Sequence, residues 1–144
     1  MADNDTIRML RECDAGVKMG ISSLNEVIPD VKNGNMKARL NECLGEHNQL
    51  DATIQRALAS HCDDGKNPNP AVKAMSWIKT EMKIALDRSD GTIAELMTDG
   101  CNMGVKSLSR YLNQYPAADE ETKGLAKKLI ASEERLAADL RRYL

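Results

Sequence analysis

The sequence predicts an all-α protein: a single domain over residues 1–144, built as an up-and-down four-helix bundle with an extra bridging helix. Three observations carry this. Apolar residues recur in alternating steps of three and four, the period of a helix with one buried face. No stretch alternates with the period of a strand, and the breaks between the periodic runs are short. A segment with paired glycines also occurs twice: Gly16-Val17-Lys18-Met19-Gly20-Ile21-Ser22-Ser23-Leu24 matches Gly100-Cys101-Asn102-Met103-Gly104-Val105-Lys106-Ser107-Leu108 at a constant offset. The first and last helical hairpins should therefore form an internal pseudo-repeat, with Gly20 falling on Gly104.

In chain order, Asp5 or Thr6 offers a side-chain cap for a first helix, whose inward stripe is Ile7, Leu10, Asp14, Val17, Ile21, Leu24 and Ile28. Pro29 and Asn33-Gly34-Asn35 end it and turn the chain back. A second helix carries Met36, Leu40, Cys43, His47, Leu50, Ile54, Ala57 and His61 inward and stops at Asp63-Asp64-Gly65. Asn69 followed by Pro70 reads as the start of a third, bridging helix. It runs to about Arg88 with Val72, Met75, Ile78, Met82 and Ala85 inward and Trp77 beside them.

After the break at Ser89-Asp90-Gly91, Thr92 and Glu95 form a capping-box pattern. They open a fourth helix with the stripe Ala94, Met97, Cys101, Gly104, Leu108, Tyr111 and Tyr115. Pro116 ends it, because the residue before a proline is pushed out of helical geometry. Glycine inside a helix costs about 1 kcal/mol relative to alanine, so Gly100 and Gly104 need a reason, and close approach of a neighbouring helix backbone is the expected one. The last helix starts at Asp119, with Glu120 and Glu121 at the positive end of its dipole and Arg141 and Arg142 at the negative end. Its stripe is Ala126, Leu129, Glu133, Leu136, Leu140 and Tyr143. When the second helix is laid on the last with Leu50 over Leu136 and Ile54 over Leu140, His47 falls over Glu133, so both halves place a polar group in the same core layer.

Composition narrows the function classes. The net charge of −2, with basic and acidic residues interspersed, leaves no electrostatic footprint for nucleic acid or an anionic membrane. No apolar run approaches the roughly 20 residues that span a bilayer, and the start Met1-Ala2-Asp3-Asn4-Asp5 is unlike a signal peptide, so a cytoplasmic protein is expected. The four cysteines, Cys13, Cys43, Cys62 and Cys101, form no CxxC pair and read as reduced thiols. With no Phe and eight Met, the core is aliphatic and thioether.

Met19-Gly20-Ile21, Ala74-Met75-Ser76-Trp77-Ile78 through Met82-Lys83, and Ile93-Ala94-Glu95-Leu96-Met97 through Met103-Gly104 resemble the ferritin-like four-helix bundles. Within them, the chain is most similar to an uncharacterised bacterial branch, a domain-of-unknown-function family typical of clostridia-like Firmicutes. The resemblance covers nearly the whole chain and implies a fold rather than a reaction. Ferritin-like di-iron enzymes use a glutamate from each of two helices and a Glu-x-x-His pair from each of the other two. Here Leu44 stands three residues before His47 and Leu136 three after Glu133, while the stripes of the first and fourth helices carry Val17, Ile21, Cys101 and Gly104. An intact di-iron oxidase is not expected.

One chemical constellation remains. Cys43 and His47, four residues apart, put a thiol and an imidazole on one helix face at chelating distance, and Asp14, Cys101 and Glu133 on other inward stripes complete a candidate metal site. The alternative is structural: Cys43 and Cys101 as small core hydrophobes, and His47 as a core histidine bonded to Asp14, Glu133 or Glu46. His61-Cys62 with Asp63 and Asp64 reads as a solvated turn. Met19, Met75, Met82, Met97 and Met103 suit Cu(I) chemically, but at helical spacing in a chain without Phe they read as core. No Ser or Cys sits in a nucleophile elbow with a histidine partner. The expected function is a non-enzymatic bundle serving as a structural or protein-interaction module, self-associating through a helix face. The alternative is a metal-handling bundle in storage or redox protection, its cofactor a transition metal.

Overall fold

The computed structural model describes residues 2–63, 65 and 88–144. Among them every regular element is helical: α1 (Ala2–Val27), α2 (Gly34–Ser60), α3 (Asp90–Gln114) and α4 (Glu120–Leu140), with short 3₁₀ turns at Ile28–Asp30 and Arg141–Tyr143. The bridging helix expected from Asn69 to about Arg88 falls largely on residues outside those described.

Backbone groups left unpaired at helix ends show how the helices are oriented. The Asp90 carboxylate at the start of α3 accepts from the N–H groups of Lys32 and Asn33, each at 2.8 Å, so α3 begins beside the start of α2. Asp5 accepts from Ala117 N–H and Thr6 from Asp119 N–H at 2.9 Å, which places the start of α1 beside the start of α4. Arg39 near the start of α2 meets Asp139 near the end of α4 at 2.6 Å. Helices α1 and α4 therefore run one way and α2 and α3 the other, and α2 finishes at the opposite end of the bundle from where α3 starts. Helix α1 packs chiefly on α2, α3 on α4, and the two hairpins meet through α2 against α4 and α1 against α3.

Two expected caps differ. Helix α3 starts at Asp90 with Ser89 as its N-cap, the Ser89 hydroxyl accepting from Thr92 N–H at 3.3 Å, so Thr92 lies in the first turn rather than before it. The contact of Asp90 with the α1–α2 connection anchors that extra turn. Helix α1 runs through Asp5 and Thr6 instead of starting there, because both side chains serve the turn before α4. The start at Asp119 is as read, its side chain capping α4 by accepting from Thr122 N–H, while Asn33, read only as part of a turn, also caps α2 by accepting from Met36 N–H.

Most stripe residues are buried, joined by Met9, Leu58, Ile93, Leu96 and Leu125, which the stripes omitted. Leu50, Tyr111, Tyr115 and Tyr143 are half-buried, and His61 is a half-exposed C-cap. The core divides into two clusters. One gathers Leu24, Leu40, Cys43, Met97, Cys101, Leu136 and Leu140; the other gathers Leu10, Val17, Ile54, Leu108, Ala126 and Leu129. In α2, α3 and α4 the boundary between them falls at His47, Gly104 and Glu133, and in α1 it lies just past Gly20, between Ile21 and Leu24.

Asp90→Ala should lower stability by about 1–3 kcal/mol, because it strips two backbone donors of their shared acceptor at a helix start. Urea denaturation checks this; an unchanged midpoint would mean that water replaces the carboxylate without loss.

Candidate functional site

At the boundary between the core clusters, His47 and Glu133 face each other with Nε2 to Oε1 at 3.9 Å, and they are only 2% and 7% exposed. The sequence alignment of the two halves anticipated this shared layer. His47 Nδ1 lies 3.0 Å from the Cys43 carbonyl, which only accepts, so Nδ1 carries a proton and Nε2 is the nitrogen turned towards Glu133. The Cys43 thiol is 3.5 Å from Nδ1 and 3.8 Å from the Ser132 hydroxyl, a buried polar neighbour that the stripe reading passed over. Glu133 Oε2 has no hydrogen-bond partner among the described residues.

The paired glycines explain how two such side chains fit. A Cβ on Gly20 would lie 2.7–2.8 Å from the His47 ring, and a Cβ on Gly104 would collide with the Glu133 carboxylate. Each glycine thus makes room for the polar residue of its own hairpin, a local two-fold likeness that matches the sequence repeat. The expected reason, a neighbouring backbone at Gly104, is corrected: the nearest foreign atoms there belong to the Glu133 side chain.

Both groups hold protons more strongly than usual. Burial opposes the His47 imidazolium, but contacts with Cys43 and Glu133 outweigh it and lift its pKa to about 10. Burial raises the Glu133 pKa, and the neighbouring imidazole offsets part of that rise. Burial likewise raises the Cys101 thiol, helped by the nearby Glu133 and Cys43.

Beside the pair is a cavity of about 220 Å³ between α1 and α3, lined by Gly16, Gly20, Gly100 and Gly104. Met19, Met97, Met103, Cys43 and Cys101 also lie on its wall, as do His47 and Glu133 themselves. Both copies of the repeat contribute matching positions, Met19 with Met103 and Ser23 with Ser107, and the exposed Met103 and Ser107 mark its opening.

Of the five residues read as a metal site, Cys43, His47, Cys101 and Glu133 reach this cavity wall. Asp14 is buried elsewhere: it accepts from Gln55 Nε2 at 2.7 Å and Lys18 Nζ at 3.0 Å, in a layer nearer the start of α1. Among the described residues no three His, Cys, Asp or Glu side chains come together as a metal-holding group. Glu46, a considered partner of His47, pairs instead with Arg135 at 2.6 Å. In the turn after α2, Asp63 binds Arg11 and accepts from Gly65 N–H, its pKa lowered by the Arg11 guanidinium, while Asp64 is outside the described residues. Comparison with protein-family models, curated proteins and solved structures gives no match for this chain.

Two predictions follow from the glycines and the proton-holding pair. Gly20→Ala should destabilise by about 1–3 kcal/mol despite its gain of about 1 kcal/mol in helix propensity, because the His47 ring is tied to a carbonyl and has no room to retreat. Gly104→Ala should cost less, since the Glu133 carboxylate can swing towards the cavity. Gly45→Ala, with nothing within 4 Å, should instead stabilise. Thermal melts of the three variants read this order directly.

The second concerns pH. The folded ring keeps its proton up to about 10 and the unfolded ring only to about 6.5, so between these values the folded state binds more protons. Stability present below that window is then lost as pH rises through it, and the raised Glu133 acts with the same sign. His47→Leu should flatten the decline, as measured by denaturation at a series of pH values from neutral to alkaline; an equally steep decline would show that another group causes it.

Proposed function

We propose that the chain is a non-catalytic, ferritin-like bundle that works by binding, and that the occupant enters the cleft between α1 and α3. One observation carries the reading: the cavity of about 220 Å³ ends on a buried His–Glu pair whose Glu133 Oε2 has no hydrogen-bond partner among the described residues. A core that only had to be stable would close over such a space, since each unfilled volume and each unsatisfied polar atom lowers stability. The parallel runs of α1 with α4 and of α2 with α3 agree with a bundle that has one long crossover, as ferritin-like folds have. Where those folds place carboxylates for a di-iron centre, this chain has glycines, which supports binding rather than oxidation. Self-association through a helix face has less behind it, because among the described residues Met103 and Leu144 are the large hydrophobics that stand exposed.

Xenon tests the cleft without presupposing a ligand, because it enters apolar cavities of this size. Under xenon pressure the methyl resonances of Met19, Met97 and Met103 should shift while those of Met9 and Met36, buried away from the cavity, stay put. Uniform absence of shifts would mean that the cleft is closed in solution.

A second reading has its own observation. The cavity wall gathers thioethers, thiols and an imidazole, the donor set that suits a soft cation such as Cu(I). Elemental analysis of protein purified without a histidine tag separates the two readings. The binding-module reading expects no stoichiometric metal in either wild type or His47→Leu, whereas one equivalent of copper, zinc or iron that disappears in the variant would establish the metal-handling bundle.

A further inference from the structure

We propose that the cavity between α1 and α3 is a site for a small neutral hydroxyl compound, a phenol or short-chain alcohol, whose apolar body fills the glycine-lined space and whose hydroxyl seats on the His47–Glu133 pair. This rests on the reading of the cleft as a binding site and adds the chemistry of its occupant.

Size sets the first limit. An apolar cavity of about 150 Å³ holds a benzene molecule, so about 220 Å³ suits a single ring or short chain carrying one or two further heavy atoms. The wall fixes the body of the ligand. Met19, Leu24, Met97 and Leu108 present thioether and aliphatic surface, and the absent side chains of Gly16 and Gly100 leave the floor bare.

The polar end fixes the head. Glu133 Oε2 is buried without a hydrogen-bond partner among the described residues, so it offers an acceptor and calls for a donor. His47 donates through Nδ1 to the Cys43 carbonyl, and Nε2 stands 3.9 Å from Glu133 Oε1, beyond direct hydrogen-bond reach. The pair thus leaves one acceptor and one imidazolium N–H under-used on the same cavity wall. A hydroxyl has the matching complement, one donor and spare lone pairs. It donates to the carboxylate and accepts from Nε2–H.

Burial disfavours charged heads. A carboxylate or an ammonium loses its hydration on entering a site shielded from water, and a carboxylate also meets the acidic residues Glu133 and Glu12 on the wall. A neutral head enters without adding net charge to the interior. The exposed Ser107 lies at the opening and His47 with Glu133 at the buried end, on a wall that is otherwise mostly thioether, aliphatic and glycine, with Glu12 and the buried Ser23 also on it.

The test compares p-cresol, toluene and benzoate by calorimetry and by methyl and amide shift titration on the full chain, using wild type, Glu133→Gln and Glu133→Leu. The expected result is p-cresol bound about tenfold or more tightly than toluene, the value of one hydrogen bond to a charged group, with benzoate weakest. In Glu133→Leu the preference for p-cresol over toluene should vanish while toluene still binds, and Glu133→Gln should retain part of the preference. Should the Leu variant fold poorly, the Gln variant carries the comparison alone. Equal affinity of p-cresol and toluene in wild type, tighter benzoate, or a p-cresol preference undiminished in both variants would each overturn the proposal. Xenon entry without p-cresol binding would overturn the hydroxyl assignment and leave the cleft standing as a binding site, whereas absence of both would remove the cleft as well.

Discussion

The interaction on which the rest of the structure depends is the burial of His47 against Glu133 at the middle of the bundle. Placing two ionisable groups in a helical core is costly, because desolvation opposes the attraction between them, and replacing such a pair by hydrophobic residues is often neutral or stabilising. Its consequence here is geometric. The pair separates the two hydrophobic clusters, and it sets the register between the hairpins, since His47 on α2 and Glu133 on α4 face each other only when those helices are aligned layer for layer. A slip of one turn, about 5.4 Å, would leave each charge against hydrocarbon. A buried polar pair acting as a register device is well attested in other helical assemblies.

The glycines are the complement of that pair. Helix interiors tolerate glycine at a cost in stability, and here the cost is matched by space. The imidazole lies over Gly20 and the carboxylate over Gly104, so the same small-residue rows that receive the polar side chains also line the cavity between α1 and α3. Removing the pair and filling the glycines would give a better-packed bundle without an interior site.

At the level of the pair, each of the four helices contributes one residue to a shared layer. A di-iron centre needs carboxylates and imidazoles converging from all four helices. Here α1 and α3 contribute glycine, α2 a histidine without its glutamate, and α4 a glutamate without its histidine. At the centre, among the described residues, a proton-holding pair lies next to open volume.

The sequence by itself determined the four described helices, the internal repeat and the coincidence of His47 with Glu133 in one layer, because each of these follows from local period and from spacing along the chain. The start at Asp119 was legible for the same reason, whereas Asp5 and Thr6 looked like caps of their own helix and serve another, a contact between residues more than a hundred apart. Tertiary structure decided what lies beside each inward position. A stripe says that Asp14 points inward, but six residues before Gly20 is roughly 9 Å along the helix, and at that height its neighbours are Gln55 and Lys18 rather than His47. Likewise, two glycines a turn apart announce that something approaches closely. Only the packed bundle shows that side chains, not backbone, fill the space, and that the remainder stays open as a cavity, because volume left between helices is a property of how four surfaces meet and is written in none of them alone.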